Sequence, residues 1–354
     1  MMLATLKLNK TKTSLVNRKL AEMYPKERMA AVLRSPFLGD FDVKNYCHVS
    51  AKQYHENEKQ QLTSLLTTTY NEKENVFEVT YKQARTGYGR VFPQESLGLT
   101  SMRKSIRNAM IKDYYYDFDL SNAHPCIVLA ICEEHNLPCK YVREYVNNRE
   151  EVLENIMNHY DVSRNKAKKL MLCFMFTGSV LGWKLEEKVN KKQDLPYLEK
   201  FTRELMSIAR GIRPENETMY ETCRDSKRKK TKKTASPAKR QRVSKERSDN
   251  EAILNEIFGE DNTDNESSSD NTQSKSNPED KNVMGSLLAT YMQTMELMIV
   301  NTVLDGVIDE TLLAKVQGVS HPVCTYEFDG IKLLRKNVEE YGGKEKVIEF
   351  FLFV

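Results

Sequence analysis

Two carboxylates one residue apart inside an aromatic run are the first chemistry this sequence offers: Asp117 and Asp119 in YYYDFDLSNAHP. In an extended strand successive side chains point to opposite faces, so Asp117 and Asp119 share one face while Tyr116, Phe118 and Leu120 share the other. An acidic face at a strand end can hold a cation; acids at a sheet edge can equally well point to water. A further acid, Asp329, sits at the Asp-Gly turn signal of VCTYEFDGIKLL, a hairpin pattern. It lies 210 positions beyond Asp119, so only the fold can join the two. Joined, they could bridge two Mg²⁺ ions about 3.5 to 4 Å apart, the arrangement that stabilises attacking and leaving oxygens in phosphoryl transfer. Mg²⁺ is the expected metal because it takes hard oxygen ligands and keeps several waters.

The elements that would position these acids can be read around them. Residues 1 to 80 show apolar positions at mixed three and four spacing in NRKLAEMYPKERMAAVLRS and SAKQYHENEKQQLTSLLTTTY, which predicts short helices. Residues 82–112 form a basic, turn-containing stretch with Lys82, Arg85, Arg90, Arg103, Lys104, Arg107 and Lys112 against a single acid, Glu95. Its arginines suit a nucleic-acid backbone. The strand at 115–120 leads into the apolar helix CIVLAICEEHNL. In SRNKAKKLMLCFMFTGSV, Ser163 can cap a helix, Arg164 and Lys168 lie four apart on one face, and 170–176 is apolar all round. Such a helix could neutralise a triphosphate. MGSLLATYMQTMELMIVNTVL predicts an amphipathic helix, with Leu288, Tyr291, Met295 and Met298 on one stripe and Gln293 and Glu296 on another. The terminal VIEFFLFV reads as a final strand.

The 354 residues are enough for one large or two modest domains with a real core. The net charge of +4 hides an asymmetry. Residues 227–247 carry eleven Lys and Arg against one Glu, residues 249–281 ten acids against two Lys, and the remainder is nearly neutral. From 215 to 282 the polar composition predicts a disordered insertion. Its basic run has the bipartite form of a nuclear localisation signal or DNA tether. Seven cysteines without a C-x-x-C pair, no apolar leader after MMLATLKLNKTKTSL and no run of membrane-spanning length lead to the expectation of a reduced intracellular protein with no membrane partner. His124, Cys126, Cys132, His135 and Cys139 crowd together without the paired spacing of a zinc site.

The stretch ARTGYGRVFPQESLGLTSMRKSIRNAMIKDYYYDFDLSNAHPCIVLAI resembles the family A DNA polymerase pattern, in which a Thr-Gly-Arg turn and a basic helix start precede motif A. It looks most like the compact members found in virophages and large DNA viruses. Asp119 and Ser121 match motif A, while His124 stands where the family has Glu. Arg164, Lys168 or Lys169, Phe176 and Gly178 approximate the fingers helix of motif B, and Phe328-Asp329-Gly330 stands in place of the motif C turn. The resemblance implies that Asp119 and Asp329 are catalytic and, with the Leu120 carbonyl, hold two Mg²⁺ ions. It further implies that Arg164, Lys168 or Lys169, His124, Phe176 and Gly178 bind the nucleotide. Arg85, Arg90, Arg103, Arg107 and Gln293 then contact primer-template. Asp117 becomes a supporting acid. The turn is spread over Thr86-Gly87 and Gly89-Arg90, two residues more than usual, and His124 leaves the choice of sugar open.

The expectation is an α+β protein, a polymerase palm with antiparallel sheet and helical fingers plus a long disordered insertion. Its parts are a thumb-like helical region (1–80), palm with motif A (81–135), fingers (136–214), insertion (215–282) and palm with motif C (283–354). Its activity would be template-directed nucleotidyl transfer from nucleoside triphosphates in viral or mobile-element DNA replication, without proofreading, with a helicase or primase as partner. The setting would be a host nucleus or a viral replication site. The alternatives are a single-subunit RNA polymerase, a catalytically inactive primer-template-binding accessory, and a nuclear adaptor acting through its insertion.

Overall fold

The computed structural model describes residues 16–39, 51–84, 86–94, 97–190, 193–234 and 278–353. Two compact units divide the chain, Met1–Ala123 with Gln293–Val354, and His124–Met292.

In the first unit, strand β1 (Asn17–Glu22) pairs antiparallel with β3 (Val76–Gln83), which also pairs with β2 (Tyr70–Asn71) and β4 (Val91–Pro93). A second antiparallel sheet has the order β5 (Tyr115–Asp119), β7 (Gly330–Leu334), β6 (Cys324–Tyr326). The sheets are joined where Ala21 lies parallel to Val323 and donates its N–H to the Pro322 carbonyl at 2.9 Å. Helices α1 (Lys26–Arg34), α2 (Ala51–Thr68) and α3 (Lys104–Ile111) supply Met29, Leu62, Leu65, Ile106 and Met110 to one core with Phe77 and Leu99. A second core joins Leu20, Val79, Tyr81, Ile331 and Leu333 to the later helices of the chain.

Several elements differ from the sequence reading. Residues 17–22 form a strand where a helix was expected, because pairing with β3 buries Leu20, Ala21 and Glu22 completely. Helix propensities differ by only tenths of a kcal/mol for such residues, and tertiary pairing outweighs them. Residue 80, the expected end of the N-terminal region, lies inside β3, and the strands before it belong to the same unit as β5. The chain end is a helix, α13 (Lys344–Phe353), in which Val347, Phe350 and Phe351 at three and four spacing meet the core through one face. It follows α12 (Arg335–Tyr341).

The second unit is helical: α4 (Ala123–Glu134), α5 (Lys140–Asn147), α6 (Arg149–Tyr160), α7 (Arg164–Met175), α8 (Val180–Glu187), α9 (Pro196–Ile212) and α10 (Glu217–Thr234). Edge-on aromatic pairs, Tyr145 with Phe201 and Tyr160 with Trp183, sit at its core. Helix α10 replaces the disorder expected from 215, because Met219, Tyr220 and Cys223 are buried along one face and the Arg213 guanidinium covers the Tyr220 ring at 3.9 Å. Of the basic run 227–247 only residues 227–234 are described, all within α10; the rest of the expected insertion, to 277, lies outside the described residues.

Helix α11 (Pro278–Glu310) gives residues to both units. Against the expectation that no segment has membrane-spanning length, its part Val283–Glu310 is long and apolar enough by length and composition. Most of that window is buried inside the protein, as in a core helix. The expected amphipathic stripe is broader than predicted, since Leu287, Met292, Leu297 and even Glu296 are buried.

Candidate functional site

The strand β5 and the β6–β7 hairpin bring the two separated acids together. Asp119 stands opposite Gly330 in the ladder, and the Leu120 N–H donates to the Asp329 carbonyl at 2.8 Å. The close approach depends on glycine: a Cβ at residue 330 would lie 2.0 Å from the Phe118 carbonyl oxygen and 2.8 Å from Asp119 Oδ1. The hairpin closes with the Glu327 N–H on the Gly330 carbonyl at 2.9 Å.

A chain of charges runs behind this pair. Lys332, directly opposite Asp117, puts its Nζ 2.5 Å from that carboxylate and 3.1 Å from Glu327, and Arg107 reaches Glu327 at 3.4 Å. Lys332 and Glu327 are buried, and burial pushes the Glu327 carboxyl up while Lys332 and Arg107 oppose the shift. Asp119 is also held above the ordinary carboxylate value, first by partial desolvation and then by repulsion from Asp117 and Asp329; Lys332 counteracts this. Accumulated negative charge on oxygen ligands is what a hard divalent cation relieves, so Asp119 and Asp329 fit Mg²⁺. Among the described residues no three His, Cys, Asp or Glu side chains converge at metal-ligand spacing, so such an ion would complete its shell with water or substrate oxygens.

The Gly-rich turn before β5 is anchored on α11. Gly87 and Gly89 both adopt positive φ (75° and 78°), the Gly89 N–H donates to Thr294 Oγ1 at 2.8 Å, and Gln83 Nε2 donates to the Gly89 carbonyl at 3.0 Å. Arg90 Nε donates to the buried Glu296 at 2.7 Å, and its guanidinium lies 4.7 Å over the Phe328 ring. Gln293 Oε1 would lie 3.8 Å from a Cβ at Gly89, which puts this residue, expected to contact primer-template, beside the turn. Arg103 is engaged otherwise: it makes a two-pronged pair with Glu58 (2.9 and 2.7 Å) and donates to the Leu38 carbonyl at 3.0 Å. Its largely buried side chain ties α3 to α2. Arg85 lies outside the described residues.

In the helical unit, Ser163 occupies the N-cap of α7 but its side chain makes no capping bond; its carbonyl takes the Ala167 N–H at 3.0 Å. Arg164 makes a two-pronged pair with Glu150 (2.8 and 2.6 Å), and Lys169 is held by Glu187 and Glu186 at 2.6 and 2.9 Å. Lys168 is exposed and has no ion pair among the described residues. Arg164, Lys168, Leu172 and Phe176 follow at four-residue spacing down one side of α7, and Leu172 is 48% exposed. The sequence reading passed over Leu172 as part of an all-apolar run. His124, buried, meets Phe176 edge-on with ring centroids 5.1 Å apart. Thr177 has a positive φ of 59° and packs on α11, where a Cβ at Gly285 would lie 1.9 Å from its Oγ1. Gly178 is equally constrained, since its Cβ would fall 2.1 Å from Cys173 Sγ. The cysteines among the described residues are free thiols.

Comparison with known proteins adds one likeness. Over 149 residues, 41% of this chain, the sequence is 31% identical to "Putative helicase V13" of Sputnik virophage. The match covers 19% of that protein, so the chain spans about a fifth of its relative's length. No family description matches the chain, and no solved structure does.

Proposed function

We propose that this chain is a DNA-directed DNA polymerase of family A type that adds deoxynucleotides to a primer 3′-OH in viral or mobile-element replication. The observation that carries the reading is the ladder register that makes neighbours of Asp119 and Asp329 across 210 positions of sequence. In this reading the two acids, with the Leu120 carbonyl, hold two Mg²⁺ ions. Bound Mg²⁺ stabilises charge on the attacking and leaving oxygens. Lys332 neutralises Asp117, which limits the repulsion that favours a proton on Asp119. Lys168 and Arg164 bind the triphosphate, Lys168 being preferred to Lys169 because two glutamates already hold the latter. His124 and Phe176, in mutual contact, line the sugar side, with Gly178 permitting the tight turn. Arg90, Arg107 and Gln293 address the primer-template, and Arg103 supports them from within.

The likeness to a viral protein named a helicase favours a replication setting with a helicase or primase as partner. This sequence holds no G-x-x-x-x-G-K-[ST] phosphate loop of the kind that cradles a nucleotide in P-loop motors. One observation favours a second reading, a binding accessory without catalysis: Arg164 and Lys169 are both held by carboxylates.

Primer extension with Mg²⁺ tests the proposal on the intact chain, Asp119→Ala and Asp329→Ala. Extension is expected, with a loss of about a thousand-fold or more in each variant, the order expected when metal stabilisation worth several kcal/mol is removed. Extension that survives both substitutions overturns the assignment of the acids. Primer-template binding with no extension by the intact chain establishes the accessory reading, and a preference for ribonucleotides makes the chain an RNA polymerase.

A further inference from the structure

Strand β4 shows an open aromatic face to which the proposed function gives no role, edged by Arg90, which that reading assigns to the primer-template. Val91 points into the core and Phe92, next to it on the strand, points outward, while Arg90, just before the strand and only 21% exposed, lies over the Phe328 ring. Phe92 is 47% exposed and pairs edge-on with Phe328, itself 37% exposed, at a centroid distance of 6.1 Å. These are the two exposed aromatic rings among the large exposed apolar side chains of the described residues, and they touch each other. The ladder places Lys82 directly opposite Phe92, hence on the same face. Arg90 covers the other side of the group, stacked on Phe328 and fixed through Nε by Glu296. Two cations thus flank two open rings.

We infer that Phe92 and Phe328, with Lys82 and Arg90, form a stacking platform for an unpaired nucleotide of a nucleic-acid strand, its base on the aromatic pair and its phosphates toward the two cations. Exposed rings interleaved with fixed positive charge are what single strands require, since every base has a π-face and every linkage a negative charge. An apolar protein partner would gain nothing from the flanking cations, whereas a polyanion is complementary to them. Phe328 immediately precedes Asp329, so under the proposed function the platform would hold a strand end beside the acids. The platform's own test does not depend on that reading.

The experiment is fluorescence anisotropy of a labelled oligothymidylate with the full chain in EDTA and without nucleotide, where no catalysis can contribute. Phe92→Ala and Phe328→Ala are expected to weaken binding roughly five- to a hundred-fold each, the range for loss of one base–aromatic stack. Phe92→Tyr, which keeps the ring, should bind as the parent does. Lys82→Gln should lower the dependence of log affinity on log salt by about 0.7. An oligonucleotide with 2-aminopurine at one position should be quenched by the parent and not by the double alanine variant. Parental affinity in both alanine variants, or no binding by the parent, overturns the platform, the latter pointing to a protein partner instead. Thermal melting of each variant controls for folding. Asp119→Asn, which removes one negative charge, should not weaken binding in EDTA whether or not it abolishes extension, so failure of the catalytic proposal and failure of the platform give different results.

Discussion

The sheet unit and the helical unit hold their charged residues in contrasting ways. In the sheet unit the acids and their cations are interleaved through ladder register: Asp117 opposite Lys332, Asp119 opposite Gly330, and Glu327 between Lys332 and Arg107. In the helical unit the charges of α7 are exposed, Arg164 and Lys169 being answered by nearby carboxylates and Lys168 by none among the described residues. The first arrangement is long-range and rests on the buried Lys332 and Glu327, with Asp117 and Asp119 at its exposed edge. The second is screened by water and adaptable, as a surface that meets a mobile polyanion can be.

The contrast breaks most sharply at Lys332. Lys332→Met leaves the buried Glu327 with Arg107 alone and Asp117 uncompensated, and should destabilise the protein by about 3–5 kcal/mol in denaturant titration. A loss no larger than that of an exposed lysine would mean that the charge chain is not coupled. Next comes Gly330→Ala, whose Cβ would sit 2.0 Å from a backbone oxygen; about 3 kcal/mol of destabilisation is expected, with β5 and the hairpin forced apart. Amide exchange at Leu120, whose N–H bonds the Asp329 carbonyl, should rise in the same variant.

A third prediction concerns Glu22, fully buried where β1 meets the second sheet. Its carboxylate accepts hydrogen bonds from Tyr81 Oη at 2.5 Å, Thr325 Oγ1 at 3.0 Å and the Leu99 N–H at 3.1 Å, and burial raises its pKa to about 7. Desolvation outweighs these bonds, so the folded state keeps a proton that the unfolded chain releases near pH 4.5. This contribution is full below pH 4.5, declines as pH rises to about 7, and is gone above. Glu22→Gln should flatten that slope and raise the melting temperature at pH 8, by an amount equivalent to about 2 kcal/mol. An unchanged slope would show that Glu22 does not titrate in this window. The smallest effect belongs to the helical unit. Lys168→Ala should raise the KM for nucleotide about ten-fold with melting unchanged, while Lys169→Ala should act less on KM. Equal effects would dissolve the distinction between the engaged and the unengaged lysine.

Local pattern was readable wherever a single element decides. The strand at 115–119, the hairpin around Asp329-Gly330, the helix from Arg164 and the helix from Ala51 all follow from period and turn chemistry. Elements whose state depends on a distant partner were not: β1 reads as helix until β3 is beside it, and VIEFFLFV reads as strand until its apolar side is packed. The same division governs function. That Asp117, Asp119 and Asp329 are the acids to consider is evident from residue type and spacing, because alternation and turn signals act over a few residues. Which cations face them, that Arg103 is turned inward to Glu58, and that Phe92 and Phe328 share an open face were settled by tertiary structure alone. The first of these depends on register between strands more than two hundred positions apart, where a one-residue slip would send each side chain to the opposite face, and the others on packing between elements distant in sequence.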